Sequence, residues 1–486
     1  MPVFSEIASA YKKGALWDMP RSLTPHVVFT AIALWTVASF SAVAADGLYS
    51  GELSCGPAGS SPPFKQAVAV AIRDGAGAWS GGRSGQDGYY VSDVSVGHDG
   101  TARVTGHYLV GGDKRPIDLV GQSASRMLSA KGRRGPRDCT LELRRPPVLW
   151  TGAAFNLPYD AAIPRTEVGR SQSVRACPPF SGLPRDLEID AFYRRDDPTH
   201  SIIDPERMAA YTAAMKPLRA FESEISAQAD AVVRGIPASA PSNCIVTMLD
   251  AAARANALLG KVSPQGAYVR KWSAITYAFA FIEARAAASD DQARHIMNWL
   301  RTIGDRVAGY YMLPPTSPMS DRANNHAYWA ALSAAASGMA ADDADLFDWG
   351  MNRFLSALDD IDSDGFLALE LNRAGRALHY HRFSLEPLLL LGLIARANGI
   401  EISSARRAAL GRLIARVQSG LDDPSVFAER TNTIQQPAGG TRGDWAWAEL
   451  ALAWTAEPAL EARISPLRPL GARWLGGNLS LRYARP

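Results

Sequence analysis

The 486-residue sequence contains no Gly-x-Ser-x-Gly elbow, no His-Glu-x-x-His and no phosphate-binding loop. The motif-based cases for a serine hydrolase, a zinc peptidase and a nucleotide-dependent enzyme therefore fall away. Gly75-Ala76-Gly77 lacks the third glycine spacing of a dinucleotide loop. Excess charge is scarce as well. The formal net charge of +3 is too small to suggest a nucleic-acid partner, so a polyanion would have to be met by a local cleft. Cysteines number four, and their spacing fits no zinc site. A pair of catalytic carboxylates is also missing. Asp364 and Glu370 have ordinary turn and helix-start explanations, which argues against a glycosidase. Past residue 43 no apolar run is long enough to span a membrane, since Leu388 to Ile394 is short and follows Pro387.

What is present begins with an export leader. Lys12, Lys13 and Arg21 precede an apolar stretch, Val27 to Val43, which closes on Ala42-Val43-Ala44 as at a processing site. The alternative is an uncleaved anchor, and the small-residue exit favours cleavage. Residues 1–45 are expected to be a signal peptide, with the mature protein in the periplasm and off the membrane. In an exported chain four cysteines imply two disulfides. Pairing Cys55 with Cys139 and Cys177 with Cys244 keeps one bridge per domain, and the other two connectivities stay open.

Hydrophobic content of 47% with 20% charged residues is that of a globular protein, and the length allows more than one domain. Residues 46–148 read as a small β-rich domain, a barrel or sandwich. Val68–Ile72, Tyr89–Val91, Ala102–Thr105 and Thr140–Leu143 alternate between Asp74-Gly75, Asp87-Gly88 and Asp99-Gly100 turns. The basic run Lys131 to Arg137 is expected to be a solvated hairpin, with contact to an acidic polymer as the alternative. Residues 149–176 read as a linker. From 177 onward the period is helical. Met208, Tyr211, Met215, Leu218 and Phe221 form a stripe expected to bend at Pro217. Tyr268, Trp272, Ile275, Phe279 and Ile282 form another, opened by Ser263-Pro264. Phe347, Met351, Phe354 and Leu358 form a third, and Leu385 to Ala397, stopped by Asn398-Gly399, a fourth. Periodicity alone leaves both a closed ring of helix hairpins and an open solenoid available.

Two segments carry chemistry. Asn324-Asn325-His326 opens an apolar helix, where Asn also serves as a cap and His as simple packing. Arg373 and Tyr380 lie seven residues apart, on one face if that stretch is helical. A guanidinium beside a phenol favours the phenolate. Arg376, His379, His381 and Arg382 make the stretch basic, as a cleft for an acidic sugar requires. Asp360-Ile-Asp362-Ser-Asp364-Gly365 starts like a calcium loop, but its twelfth position is Leu371, so a plain turn is expected and no metal.

Asn324 to Ala331, Asp345 to Trp349, Asp364 to Leu367 and Arg376 to His381 together resemble the poly(β-D-mannuronate) lyases, the alginate lyases of polysaccharide lyase family five. Arg270-Lys271-Trp272, Trp445-Ala-Trp447-x-Glu449 and Leu475-Gly476-Gly477 continue the likeness in order, across residues 177–480. The resemblance implies an all-α (α/α) toroid over residues 177–486 and β-elimination on a uronic acid polymer, alginate foremost, with no cofactor. It implies that Asn325 and Arg373 neutralise the substrate carboxylate while His326 and Tyr380 act as acid–base groups. It also nominates Tyr193, Arg194, Arg270, Lys271, Trp272, Trp329, His381 and Trp447 as substrate contacts. The chain departs from the family at Ala191-Phe192-Tyr193-Arg194-Arg195, where Ser-Lys-Tyr is usual, and at Glu449-Leu450-Ala451, where Glu-Pro-Tyr is usual. Another polyuronate such as polyglucuronate, or a non-catalytic polysaccharide-binding or export scaffold, are the alternatives. The short family members have no counterpart of the N-terminal β region, which is read as an accessory module.

Overall fold

The computed structural model describes residues 46–159, 177–178, 182–235, 239–317, 320–438 and 440–484. The leader and most of the expected linker lie outside the described residues. No described helix is long and apolar enough to cross a membrane.

Eight antiparallel strands come first: β1 (Gly47–Cys55), β2 (Phe64–Ile72), β3 (Ala76–Gly81), β4 (Tyr90–Val96), β5 (Thr101–Val110), β6 (Asp113–Ala124), β7 (Met127–Arg134) and β8 (Arg137–Arg144). Their order is β2-β1-β8-β7-β6-β5-β4-β3, and β2 also lies against β3, so the sheet curls into a near-barrel. Alternation decides which side faces in: Val68, Val70, Ile72, Val94, Val104, Leu119, Leu128 and Leu141 share one core. Close strand approach is bought with glycine, since a Cβ on Gly121 would fall 1.8 Å from the Ser129 carbonyl oxygen. Cys55 bonds Cys139 directly across β1 and β8, and Cys177 bonds Cys244.

The rest is helical. The main helices are α1 (Pro205–Val233), α2 (Ser239–Arg254), α3 (Pro264–Ala284), α4 (Asp290–Tyr311), α5 (Asn325–Ala341), α6 (Ala344–Asp359), α7 (Ala377–Ala397), α8 (Ser404–Asp422) and α9 (Ala446–Trp454). Their starts follow local chemistry. The Asp204, Ser263, Ser289 and Asn324 side chains each accept a first-turn backbone N–H. Pro217 sits inside α1 without ending it. Helices α3, α5 and α7 are buried nearly all round, as is the first half of α6 (Asp345 to Met351), whereas α4 buries one face. Helix α5 packs on α3, α4, α6 and α7, and the C-terminal segment Gly471–Tyr483 returns to α1 and α3. The Asp360–Phe366 segment is a turn, in which the Asp362 carboxylate accepts from the N–H groups of Asp364 and Phe366.

The sheet docks on α4–α6 through charge. Arg73 bonds Asp305 (3.0 Å) and pairs with Asp343 (2.9 Å), and Arg145 bonds both oxygens of Asp345 at 2.6 Å. Residues 149–159 are not loose. Leu149 and Trp150 donate their N–H groups to Asp348, and Trp150 stacks on Phe155, which packs against Phe347. These contacts involve the start of α6 and the residues just before it. The start of α5, at its opposite end, carries His326.

Candidate active site

The chain from Phe192 to Asp204 folds back on itself, with Arg194 N–H bonded to Ile202 O and Asp204 N–H to Phe192 O. The Asp197 carboxylate holds the tip by accepting from Thr199, Ser201 and Ile202. This hairpin meets the start of α7. Arg373 donates through Nε to Thr199 O (2.8 Å) and through Nη2 to His200 O (2.5 Å). Its guanidinium carbon lies 3.4 Å from the centre of the Tyr380 ring. The Tyr380 and Tyr193 hydroxyls are 2.6 Å apart, and Arg376 donates to the Tyr193 hydroxyl at 3.0 Å. Burial, reinforced by Tyr380, raises the Tyr193 pKa, so Tyr193 keeps its proton, and either hydroxyl of the pair can donate.

His326 sits in the first turn of α5, within reach of the Arg373 and His200 charges. Its ring stacks on Tyr268 with centroids 3.8 Å apart, and Trp272 stands at 6.1 Å. Beneath it Lys271, wholly buried, donates to Tyr311 Oη (2.6 Å) and to His326 O (2.9 Å), with His326 Nδ1 at 3.3 Å. Burial holds the imidazole pKa well below its ordinary value, and the charges of Lys271, Arg373 and His200 push the same way. His326 is therefore neutral. The Arg373 charge also acts on Glu370, His379 and Tyr268, which ties the two segments into one electrostatic unit.

Asn325 is fully buried. Its N–H and Nδ2 donate to Glu370 (2.7, 3.1 and 2.9 Å), while its Oδ1 has no hydrogen-bond partner among the described residues. Burial raises the Glu370 carboxyl to about 7. Trp272 stacks on Trp474 at 4.5 Å, and Trp329 donates from Nε1 to Phe383 O. Trp329, Trp474, Tyr211, Arg219 and Glu386 line an adjoining cavity of about 240 Å³. Burial raises Glu386, too, to about 7.

Asn325, His326, Arg373, Tyr380, Tyr193, Lys271, Trp272 and Trp329 thus gather in one region. Four nominated contacts do not. His381 is fully buried, accepting at Nε2 from Leu367 N–H and meeting Ala377 O at Nδ1, both 2.8 Å. Both ring nitrogens are committed, and burial lowers the ring to about 4, so His381 is structural. Trp447 is fully buried against Trp445. Arg270 is buried on another face of α3, where Arg306 is the charge that acts on it. Arg194 points outward to Asp196 (2.5 Å). Conversely, sequence reasoning passed over Tyr268, counted only as a stripe residue, and Glu370, set aside as a helix start. Neither carries a local signal beyond its place near the basic and His-bearing segments.

Residues 188–427 match the alginate lyase family. An alginate lyase of Azotobacter vinelandii is 32% identical over 327 residues, which is 64% of this chain and 85% of that protein. A polysaccharide lyase of Stenotrophomonas maltophilia is 31% identical over 333 residues, 67% of this chain and 96% of the relative. The crystal structure of alginate lyase A1-III from Sphingomonas species A1 shares the fold, with a TM-score of 0.56 at 23% identity over 69% of this chain and 98% of that one. A substituted A1-III complexed with tetrasaccharide gives 0.57 at the same identity and coverage. These likenesses define a polysaccharide lyase. The chain belongs to the alginate lyase family. Its eight-stranded sheet precedes the matched segment.

Proposed function

We propose that the protein cleaves a β-linked polyuronate, mannuronate-rich alginate foremost, by β-elimination that leaves 4,5-unsaturated uronate ends. The observation that carries this is the Tyr380 phenol, set against the Arg373 guanidinium and hydrogen-bonded to Tyr193, with a neutral His326 within reach of the same guanidinium's charge. Membership of the family and the tetrasaccharide complex of A1-III support it.

In the proposed reaction the Arg373 charge stabilises the enolate-like charge that develops beside the substrate carboxylate, and Asn325, whose N–H and Nδ2 are given to Glu370, meets that carboxyl group with its Oδ1 once a proton neutralises it. Tyr380, as phenolate, takes the C5 proton. The electrons of that C–H bond form the C4=C5 double bond, the C4–O bond breaks, and Tyr380 returns the proton to the departing glycosidic oxygen. Lys271 Nζ lies 3.3 Å from His326 Nδ1, and burial lowers the Lys271 pKa well below its ordinary value, so either ring nitrogen of the neutral His326 can carry the hydrogen. Both proton transfers are assigned to Tyr380, which favours a substrate with proton and leaving group on one face, as in mannuronate.

Under the same reading the helices close into an (α/α) toroid over residues 177–486, residues 46–148 form an accessory domain, and the leader delivers the chain to the periplasm. The test is incubation with polymannuronate, polyguluronate and polyglucuronate while following ultraviolet absorbance of the unsaturated ends and total reducing ends. Absorbance rising fastest on polymannuronate is expected. Reducing ends without absorbance mean hydrolysis, and retardation without cleavage means a binder; either overturns the reading.

A further inference from the structure

The basic hairpin Lys131 to Arg137 takes no part in the cleft, yet one of its arginines is built into the sheet. Arg134 ends β7, faces inward and is only 7% exposed. Its guanidinium carbon lies 4.7 Å from the Tyr108 ring centre, 5.0 Å from Phe64 and 5.3 Å from Tyr90, and Nη1 donates to Gln66 Oε1 at 2.8 Å. Among the described residues no carboxylate pairs with it. Two other buried arginines carry carboxylate partners, Arg482 with Asp230 and Glu283 and Arg382 with Asp444, whereas Arg270 and Arg373, like Arg134, have no ion pair among the described residues. A guanidinium withdrawn from water without a counter-charge is costly unless a ligand supplies one. Beside it, Gln66 Nε2 is buried with no partner among the described residues.

The surroundings are rigid. Tyr90 and Tyr108 stand opposite each other on β4 and β5. Their hydroxyls lie over Gly81 and Gly135, where a Cβ would come within 2.3 Å of each phenol oxygen. The Cys55–Cys139 bridge spans the same end of the sheet, and Arg137 bonds the carbonyls of Gly56 (2.6 Å) and Pro62 (2.7 Å). This mouth is the end of the near-barrel remote from Gly47, Arg73 and Arg145, which dock on the helices.

We infer that this mouth is a second binding site, for a carboxylated sugar, with Arg134 gripping the carboxylate and the Phe64, Tyr90 and Tyr108 rings carrying the apolar face of the pyranose. A planar fork of donors suits a carboxylate bidentately, and Gln66 Nε2 offers a further donor. The identity of the sugar as a uronate rests on the proposed function, while the affinity for carboxylate does not. The site gives the protein a hold on its acidic polymer outside the cleft.

The test uses the full chain carrying Tyr380→Phe, titrated with a mannuronate trimer, with glucuronate and with a neutral mannose trimer. Tyrosine-ring NMR signals of Tyr90 and Tyr108 are expected to shift with both acidic probes and not with the neutral one. Adding Arg134→Gln should weaken that binding about ten- to a hundredfold. In an otherwise unsubstituted chain, Arg134→Gln should leave cleavage of short oligomers unchanged. Should that substitution unfold the sheet, the NMR titration of the unaltered sheet still decides the matter. Unmoved Tyr90 and Tyr108 signals, or equal response to the neutral trimer, overturn the inference. Signals that shift in a protein that cleaves no polyuronate would leave this site standing and remove the lyase reading; cleavage with a silent mouth does the reverse.

Discussion

The Arg373 guanidinium carbon lies over the Tyr380 ring, 3.4 Å from its centre, while its Nε and Nη2 donate to the Thr199 and His200 carbonyls of the hairpin. One side chain therefore fixes the hairpin and sets a positive charge on the phenol. Tyr193 completes the arrangement from the hairpin side.

Tyr380→Phe is expected to abolish turnover and leave polymer binding largely intact. Tyr193→Phe removes the hydrogen bond to Tyr380 together with the acceptor for Arg376, and a bond of the charge-assisted kind is worth about ten- to a hundredfold in rate. The drop should fall in kcat with little change in KM, measured by the absorbance of unsaturated ends. Equal rates in Tyr193→Phe and the parent would show that the Tyr193–Tyr380 contact has no part in catalysis.

Lys271→Met tests the charge beneath the imidazole. After burial, the Lys271 charge is the next cause that lowers His326. Removing it raises the folded-state pKa of His326 towards its ordinary value, so the imidazole becomes charged at a higher pH than before. The acid limb of the kcat/KM profile should move to higher pH. A limb that stays in place would mean that His326 protonation does not set it.

The buried Glu370 predicts a pH-dependent stability. Its folded-state pKa is raised to about 7 from an ordinary 4.5. Between those values the folded protein holds more protons than the unfolded chain, so stability from this group falls as pH rises through that window. Glu370→Gln removes the slope. Denaturant unfolding at about pH 5 and about pH 8 should show the parent losing more stability than the variant. His381 contributes a slope of opposite sign, rising with pH from about 4, but it is common to both proteins and cancels in the difference. Glu370→Gln should also slow turnover, because its amide has one acceptor for the two Asn325 donors that Glu370 now receives.

Arg73→Ala leaves Asp305 and Asp343 without their shared partner at a mostly buried junction. Asp343 keeps Arg301 (3.3 Å), whereas Asp305 is orphaned, which should lower unfolding stability by about 2–3 kcal/mol, with cleavage of short oligomers unchanged. Calorimetry or urea unfolding checks this. An unaltered melting profile would show that apolar contacts around Trp150 and Phe155 suffice to hold the sheet.

The sequence exposed what is locally coded. Ser263-Pro264 starts α3, Asn398-Gly399 ends α7, and the Asp-Gly turns separate strands where expected. The Arg373–Tyr380 pairing came about by another route than the one anticipated. A shared face depended on that stretch being helical, but a 3-10 turn, Ala374–Arg376, intervenes, with Ala374 in the left-handed region at φ 47°. The guanidinium reaches the ring by folding back. Lys271, Tyr311 and His326 converge from three helices, and Glu370 reaches Asn325 across forty-five positions. Spacing along a chain carries no trace of such contacts. For the same reason His381, one residue from Tyr380, was nominated to a cleft from which the helical rotation of 100° per residue turns it away.

The docking carboxylates Asp305, Asp343 and Asp345 set a rule for anyone shortening this protein to its catalytic helices. Excision of the strands strips Arg73 and Arg145 from all three acids at once, uncovering a negative ridge on α4 and the start of α6. A chain of the helices alone would therefore need amides at those positions, or it would exchange ion pairs for self-repulsion on its own scaffold.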